Sequence, residues 1–341
     1  MTSSNSSAPT PYRLTGISPK AYEHPADRAA TAALKQIPFI DVLVKKLFEF
    51  GLERSFKQQL LGNGIRLGPN QLPKIHQAYL SCLDTLDMPS VYELYLLQTP
   101  QVNAMAFGAD RPIIILNSGL ASILEEDELK SVLAHEVGHI LSEHVLYRTV
   151  LALLLNVSLS TLPLPPLGNL PIQAIILVLQ EWSRASELSC DRAAALVVRD
   201  PRIHCRTLMK LAGGNVEGLN VDAFIHQASQ YETWDDYVDR GLRFFGELGT
   251  THPYAVRRVS ELTRWIQSGE FDRIIGGNYV RRGQEPPPSA EFERAVDFYA
   301  AQFRHLIGET GLGVQQLSRQ ITDWLRELQR TTAGGAREAQ R

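Results

Sequence analysis

His135 and His139 stand four residues apart, with Glu136 directly after the first, so the chain spells HExxH inside a helical pattern. Residues four apart lie one above the other on a single helix face. Both imidazoles can therefore reach one metal ion. Zinc suits this spacing, and Glu136 is placed to take a proton from a water that the metal activates. The bland alternative is an ordinary amphipathic helix that carries the motif by chance. The flanks favour the chemical reading. Glu125, Glu126, Asp127 and Glu128 crowd the expected first turn, where negative charge complements the helix dipole. Leu129, Val132, Leu133, Val137, Ile140 and Leu141 recur at helical spacing. Gly138 costs helix stability. Its small size leaves room for a strand or a substrate to come close, unless it is simply tolerated.

A hydrolytic zinc site takes three protein ligands and keeps one position open for water. Three residues compete for the third place. His144 follows His139 by five residues, and helical geometry carries it away from the His135/His139 face, so it reads as a surface or core histidine. Glu143 sits on a nearer face, one turn past His139. Glu187 is the preferred choice. It lies in Glu181-Trp182-Ser183-Arg184-Ala185-Ser186-Glu187-Leu188-Ser189-Cys190-Asp191, a helical stretch that Ala193, Leu196 and Val197 continue. Glu187 and Asp191 share a face, which offers one carboxylate to the metal and a second to hold a ligand histidine by its other ring nitrogen. Without HExxH, a solvated charged face would be the better account of this pair.

These residues also resemble a known family. HExxH, then Ser183-Arg184…Glu187…Asp191, then Thr251-His252-Pro253…Arg258, is similar to the HtpX and CAAX-prenyl-endopeptidase family of gluzincin metallopeptidases, the forty-eighth metallopeptidase family. Asn103-Ala104-Met105-Ala106-Phe107-Gly108 resembles that family's segment upstream of the zinc helix. Asn117-Ser118-Gly119-Leu120 resembles its turn into that helix. The resemblance spans about residues 70–265. It implies one zinc per chain on His135, His139 and Glu187, with Glu136 as general base and Asp191 orienting a ligand histidine. It further implies His252 as a donor to the developing oxyanion and Arg258 as a support of the site. Cys190 departs from the small apolar residue common in the family, and reads as a packed thiol rather than a fourth ligand that would close the metal to water.

The elements around the site follow from the pattern. Residues 92–97 and 112–116 read as strands. Residues 103–107 read as an exposed edge strand, where Asn103, Ala104 and Met105 could bind an extended peptide by backbone hydrogen bonds; a plain hairpin is the alternative. Residues 26–62 and 72–86 read as helices. Val259, Leu262 and Trp265 share one face of a further helix, before a Gly/Pro-rich break at 276–288. Two helices are expected near 290–306 and 314–330.

The expected layout is a disordered tail over 1–11 and an N-terminal helical extension over 12–69. The metallopeptidase domain follows over 70–265, with a C-terminal helical extension over 266–341. The fold class is α+β, mostly α-helical: a zincin of the gluzincin type, with a small β-sheet and helical extensions. With 341 residues and 44% hydrophobic content the chain can bury a sizeable core. A net charge of −3 argues against nucleic-acid binding. Three cysteines without framework spacing indicate a reducing compartment and no disulfide scaffold. The first eleven residues lack the basic start and apolar core of a signal peptide.

Thr149–Gln180 runs 32 residues without a charge, interrupted by Pro163, Pro165, Pro166, Gly168 and Pro171. Its arms of about 14 and 9 residues fall short of the ~20 that a spanning helix needs. HtpX-like proteins carry membrane helices here, so the resemblance favours a shallow membrane hairpin on the cytoplasmic side. A buried or oligomer-forming hairpin is the alternative. The sequence thus reads as a zinc metalloendopeptidase that cleaves polypeptides, peripheral or monotopic at a membrane. The role in protein quality control is implied by the resemblance alone. A prenyl-protein endopeptidase and a non-catalytic zinc-fold scaffold are the rival readings; the intact Glu136 speaks against the scaffold.

Overall fold

Acidic residues and a capping box start the helix that carries HExxH. In the computed structural model this helix, α5, spans Glu126–Leu141. The structure describes residues 12–34, 52–108, 111–156, 172–233 and 254–285. Before α5 come α1 (Pro25–Leu34), α2 (Leu52–Asn63), α3 (Pro73–Thr85) and the short α4 (Ser118–Ile123). After it come α6 (Val145–Asn156), α7 (Ile172–Val198), α8 (Pro201–Gly213), α9 (Val221–Thr233), α10 (Ala255–Gln267) and α11 (Glu270–Ile275). Proline opens α3 and α8, where a missing N–H costs nothing. The Asp200 side chain caps α8 by accepting from Arg202 N at 2.9 Å.

Four strands form one sheet in the order β1-β2-β4-β3: Gly64–Arg66, Glu93–Leu97, Ile113–Asn117 and Ala104–Phe107 in that spatial order. β2 and β4 are parallel, and the outer pairs are antiparallel. Central β4 is buried along its whole length, which explains its unbroken apolar run. Its side chains alternate between two layers. Ile114 and Leu116 join the main core with Leu133, Ala134 and Val137 of α5. Ile113 and Ile115 face a smaller cluster with Leu60, Tyr95 and Phe107. β3, the strand read as an edge, does end the sheet, and it is mostly buried.

The expected mixture of helices with a small sheet is therefore what folds. Val259, Leu262 and Trp265 are buried on α10 as their spacing requires. The short β1 carried too little pattern to be read in advance. Leu14, Ile17 and Tyr22 before the sheet, and Phe271 and Ile274 after α10, enter the same core as α5. Residues 1–11, 35–51 and 157–171, and the helices expected near 290–306 and 314–330, lie outside the described residues.

Glu128 ties α5 to α8. It is fully buried, completes the capping box with Glu125, and accepts from Lys210 Nζ at 2.8 Å and Arg206 Nε at 2.7 Å. Burial alone would raise its carboxyl; Lys210, the Glu125 N–H and Arg206 outweigh burial and lower it. A lowered folded value means the contribution is complete above the unfolded value of about 4.3 and is lost as pH falls through the folded one. Glu128→Gln should therefore lower the unfolding free energy by about 1–3 kcal/mol at neutral pH. The deficit should shrink in urea titrations run progressively below about pH 4. An equal deficit at pH 7 and pH 3 would contradict this role for the charge.

Candidate active site

Two helices bring the chemistry together. α5 supplies His135, Glu136 and His139; α7 supplies Glu187 and Asp191. They meet closely at Gly138. A Cβ there would stand 3.0 Å from Ala193 Cβ and 3.5 Å from Cys190 Sγ. The small residue thus makes room for a helix rather than for a strand or substrate.

His135 Nε2 and His139 Nε2 are 3.1 Å apart. Glu187 Oε2 lies 3.3 Å from the first, and Glu187 Oε1 lies 3.2 Å from the second. Tetrahedral zinc with bonds of about 2.0–2.1 Å spaces its ligand atoms by about 3.3 Å. Two imidazoles and a carboxylate at this spacing fit such an ion. Cys190 Sγ also falls within 4.8 Å of the two histidines' ring nitrogens. Burial first, and then the nearby Glu187 carboxylate, push its thiol well above the ordinary range.

Asp191 stands behind the first histidine. Its Oδ1 is 3.1 Å from His135 Nδ1 and 2.9 Å from His204 Nε2, and its Oδ2 accepts from Arg258 Nε at 2.8 Å. Ser131 Oγ, 2.8 Å from His204 Nδ1, completes the chain. Burial opposes the charge on Asp191, yet Arg258 and then His204 hold the carboxyl well below its usual range. Burial would lower His135 as well; Glu187 and Asp191 outweigh it and hold that imidazole up at about 9. His139 goes the other way, driven well down by burial and then by the Arg148 guanidinium. Arg148 donates to Glu187 Oε1 and lies 2.7 Å from His139 Nε2. With Arg258, whose Nη1 lies 3.5 Å from Glu187 Oε2, it sets cations beside the fully buried Glu187 carboxylate.

Glu136 is anchored by the sheet. Its Oε2 accepts from the Ala106 N–H of β3 at 2.8 Å. Ala106 therefore turns its N–H away from β4, and Ala104, two residues earlier, shares that direction. A cleft of about 320 Å³ opens beside it, lined by Asn103, Ala104, His135, Glu136, Glu187 and Arg258. Val132, Leu208 and Leu211 form an apolar wall.

The sequence model of peptidase family M48 matches residues 69–266. The chain belongs to this family. It is 31% identical over 260 residues to a plastoglobule-localized metallopeptidase 48, chloroplastic, of Arabidopsis thaliana, which covers 74% of each chain. It is 27% identical over 218 residues to a protease HtpX homolog of Helicobacter pylori, covering 57% of this chain and 67% of that one. A protease HtpX homolog of Tropheryma whipplei is 28% identical over 232 residues, covering 60% and 76%. No solved structure matches the chain. Family membership and these names make the protein a metalloprotease.

Of the residues singled out as candidates, His135, Glu136, His139, Glu187, Asp191 and Arg258 converge within one buried cluster. Arg258 bonds to Asp191 and also lies 3.5 Å from Glu187 Oε2. Asn103 and Ala104 line the cleft, while Met105 packs with Phe107 and Ile115 in the small core cluster. His252 lies outside the described residues. Glu143 is exposed in the turn after α5, with φ of 59°. That turn corrects the expectation for His144. Helical extrapolation sends it away from His139, but α5 stops at Leu141 and the left-handed residue folds the chain back. His144 Nδ1 then lies 3.1 Å from His139 Nδ1.

Three partners escaped the sequence reading. His204 and Arg148 occupy no motif, and Asp27 comes from α1 far upstream. His204 had one faint signal, as a lone imidazole on an amphipathic helix beside Cys205.

Proposed function

We propose that the cleft is the active site of a zinc endopeptidase, with zinc on His135, His139 and Glu187 and with Glu136 as general base. The observation that supports this most is the triangle of His135, His139 and Glu187: the two Nε2 atoms lie 3.1 Å apart, and each is within 3.3 Å of one of the two Glu187 carboxylate oxygens, with Glu136 beside them. Zinc held there would acidify a water and polarise the scissile carbonyl. Glu136 takes the proton of the attacking water on its carboxylate and returns it to the leaving amine. The Ala106 N–H fixes the orientation of that carboxylate. Asp191 receives the His135 Nδ1 proton and so turns the other nitrogen of His135 toward the ligand triangle. Arg258 positions Asp191 through two hydrogen bonds, and His252 remains the candidate donor to the developing oxyanion. The outward backbone of Ala104 would pair with an extended substrate, so affinity would come largely from the peptide backbone. Nothing in the described residues favours prenyl-protein cleavage, and a scaffold would have no use for a base held in this way.

Glu136→Gln should lose more than about 100-fold in turnover of an unfolded protein such as casein while retaining zinc and thermal stability. Turnover within a few-fold of wild type would contradict the assignment.

We also infer that the apolar hairpin docks on a lipid surface and holds the cleft close to it. Among the described residues no helix is long and apolar enough to cross a membrane. α6 instead ends in an apolar arm whose Leu155 is 48% exposed, and α7 begins with another. The relative named as plastoglobule-localized supports such a surface. The substrates would then be polypeptides at or near lipid. The alternative is packing of the hairpin against another copy of the chain. Flotation with liposomes should carry the wild type upward, and replacing residues 150–178 with a Gly/Ser linker should abolish this. A wild type that stays at the bottom and elutes as an oligomer would support the alternative.

A further inference from the structure

Beyond His139, on the far side of its ring from the ligand triangle, lies a second buried constellation. His139 Nδ1 is 3.1 Å from His144 Nδ1, and His144 Nε2 is 3.0 Å from Asp27 Oδ2. His139, His144 and Asp27 are each no more than 1% exposed. Asp27 is supported as an anion. Ser189 Oγ donates to its Oδ2 at 2.5 Å and Thr31 Oγ1 to its Oδ1 at 3.1 Å. Trp182 Nε1 in turn donates to Thr31 Oγ1 at 2.8 Å and packs its ring edgewise against His144. Burial opposes the Asp27 charge, but His144 outweighs it and lowers the carboxyl.

The shortest of the contacts at His139 Nε2, that to Arg148, sets the arrangement of protons. Arg148 has only protons to offer, so the His139 Nε2 facing it at 2.7 Å carries a lone pair. The ring proton of His139 then sits on Nδ1. His144 Nδ1 must accept it, since a second proton there would face the first. The proton of His144 is thereby on Nε2, beside the Asp27 carboxylate. That N–H points off the straight line to the oxygen, but a lone pair in its place would face an anion.

We propose that Asp27 and His144 are positioning residues for His139: the carboxylate fixes the tautomer of His144, which fixes the His139 proton on Nδ1 and presents the Nε2 lone pair to the metal. A metal-ligating histidine usually gives its other N–H to a carboxylate or carbonyl. Here a second histidine stands between, and the carboxylate comes from α1. The N-terminal segment thus belongs to the metal centre rather than merely packing near it. The inference rests on the zinc reading above.

The test is zinc affinity, with zinc titrated into the metal-free full-length protein against a competing chelator. Asp27→Leu and His144→Leu should each weaken zinc binding by about 10–100-fold, the range for such supporting partners. The double variant should bind no more weakly than His144→Leu alone, because both act on one proton. His144→Gln keeps an oxygen that can accept from His139, and should recover most of the affinity. Thr31→Val removes a hydroxyl of the same network but leaves the tautomers fixed, and should stay within about threefold of wild type. Should Asp27→Leu fail to fold, the His144→Leu and His144→Gln pair decides. Wild-type affinity in His144→Leu, a loss in His144→Gln as large as in His144→Leu, or a loss in Thr31→Val as large as in Asp27→Leu, would overturn the proposal. A wild type that binds no zinc would overturn the reading of the site itself.

Discussion

Two carboxylates four residues apart on α7, Glu187 and Asp191, are buried to 0% and 1% exposure in the middle of the protein. An anion in such a place costs several kcal/mol unless each is met by charge and hydrogen bonds. The surrounding structure answers that demand. Asp191 gathers His135, His204 and Arg258. Glu187 gathers both histidines of the motif and Arg148. Those partners arrive on α5, α6, α8 and α10, so the helices converge where the charge is. Removing one partner leaves a buried charge unmet, which sets this cluster apart from the exposed ion pairs elsewhere, such as Arg202 with Asp222.

The sheet meets this cluster from the other side. β3 is short and lies at the end of the sheet, and its outward Ala106 N–H is taken by Glu136. One contact thus orients the Glu136 carboxylate, the proposed base, and sets its distance from the strand expected to hold substrate. The apolar wall from α5 and α8 completes the cleft. The proposed metal site, base and peptide-binding edge are held by elements of one core.

Much of this was legible in the residues. HExxH and the Glu187/Asp191 pair are local patterns, and helical periodicity suffices to place each set on one face. Strands β2 and β4 announced themselves by β-branched and aromatic runs. What escaped was what depends on chain reversal or long range. His144 was placed by extending α5 past its true end, and a single left-handed residue at Glu143 undid the extrapolation. Arg148, His204 and Asp27 have no spacing relation to the motif; only the packing of α6, α8 and α1 around α5 and α7 brings them in. Gly138 was read as a site of close approach, but the partner is α7, which no local pattern could name.

The central claim is the ligand set, and X-ray absorption at the zinc edge of the loaded protein tests it most directly. With zinc on His135, His139 and Glu187, the spectrum should show two imidazole nitrogens at about 2.0–2.1 Å and carboxylate oxygen at about 2.0–2.2 Å, with no sulfur. A sulfur scatterer at about 2.3 Å would put Cys190 in the place given to Glu187 and contradict that ligand set.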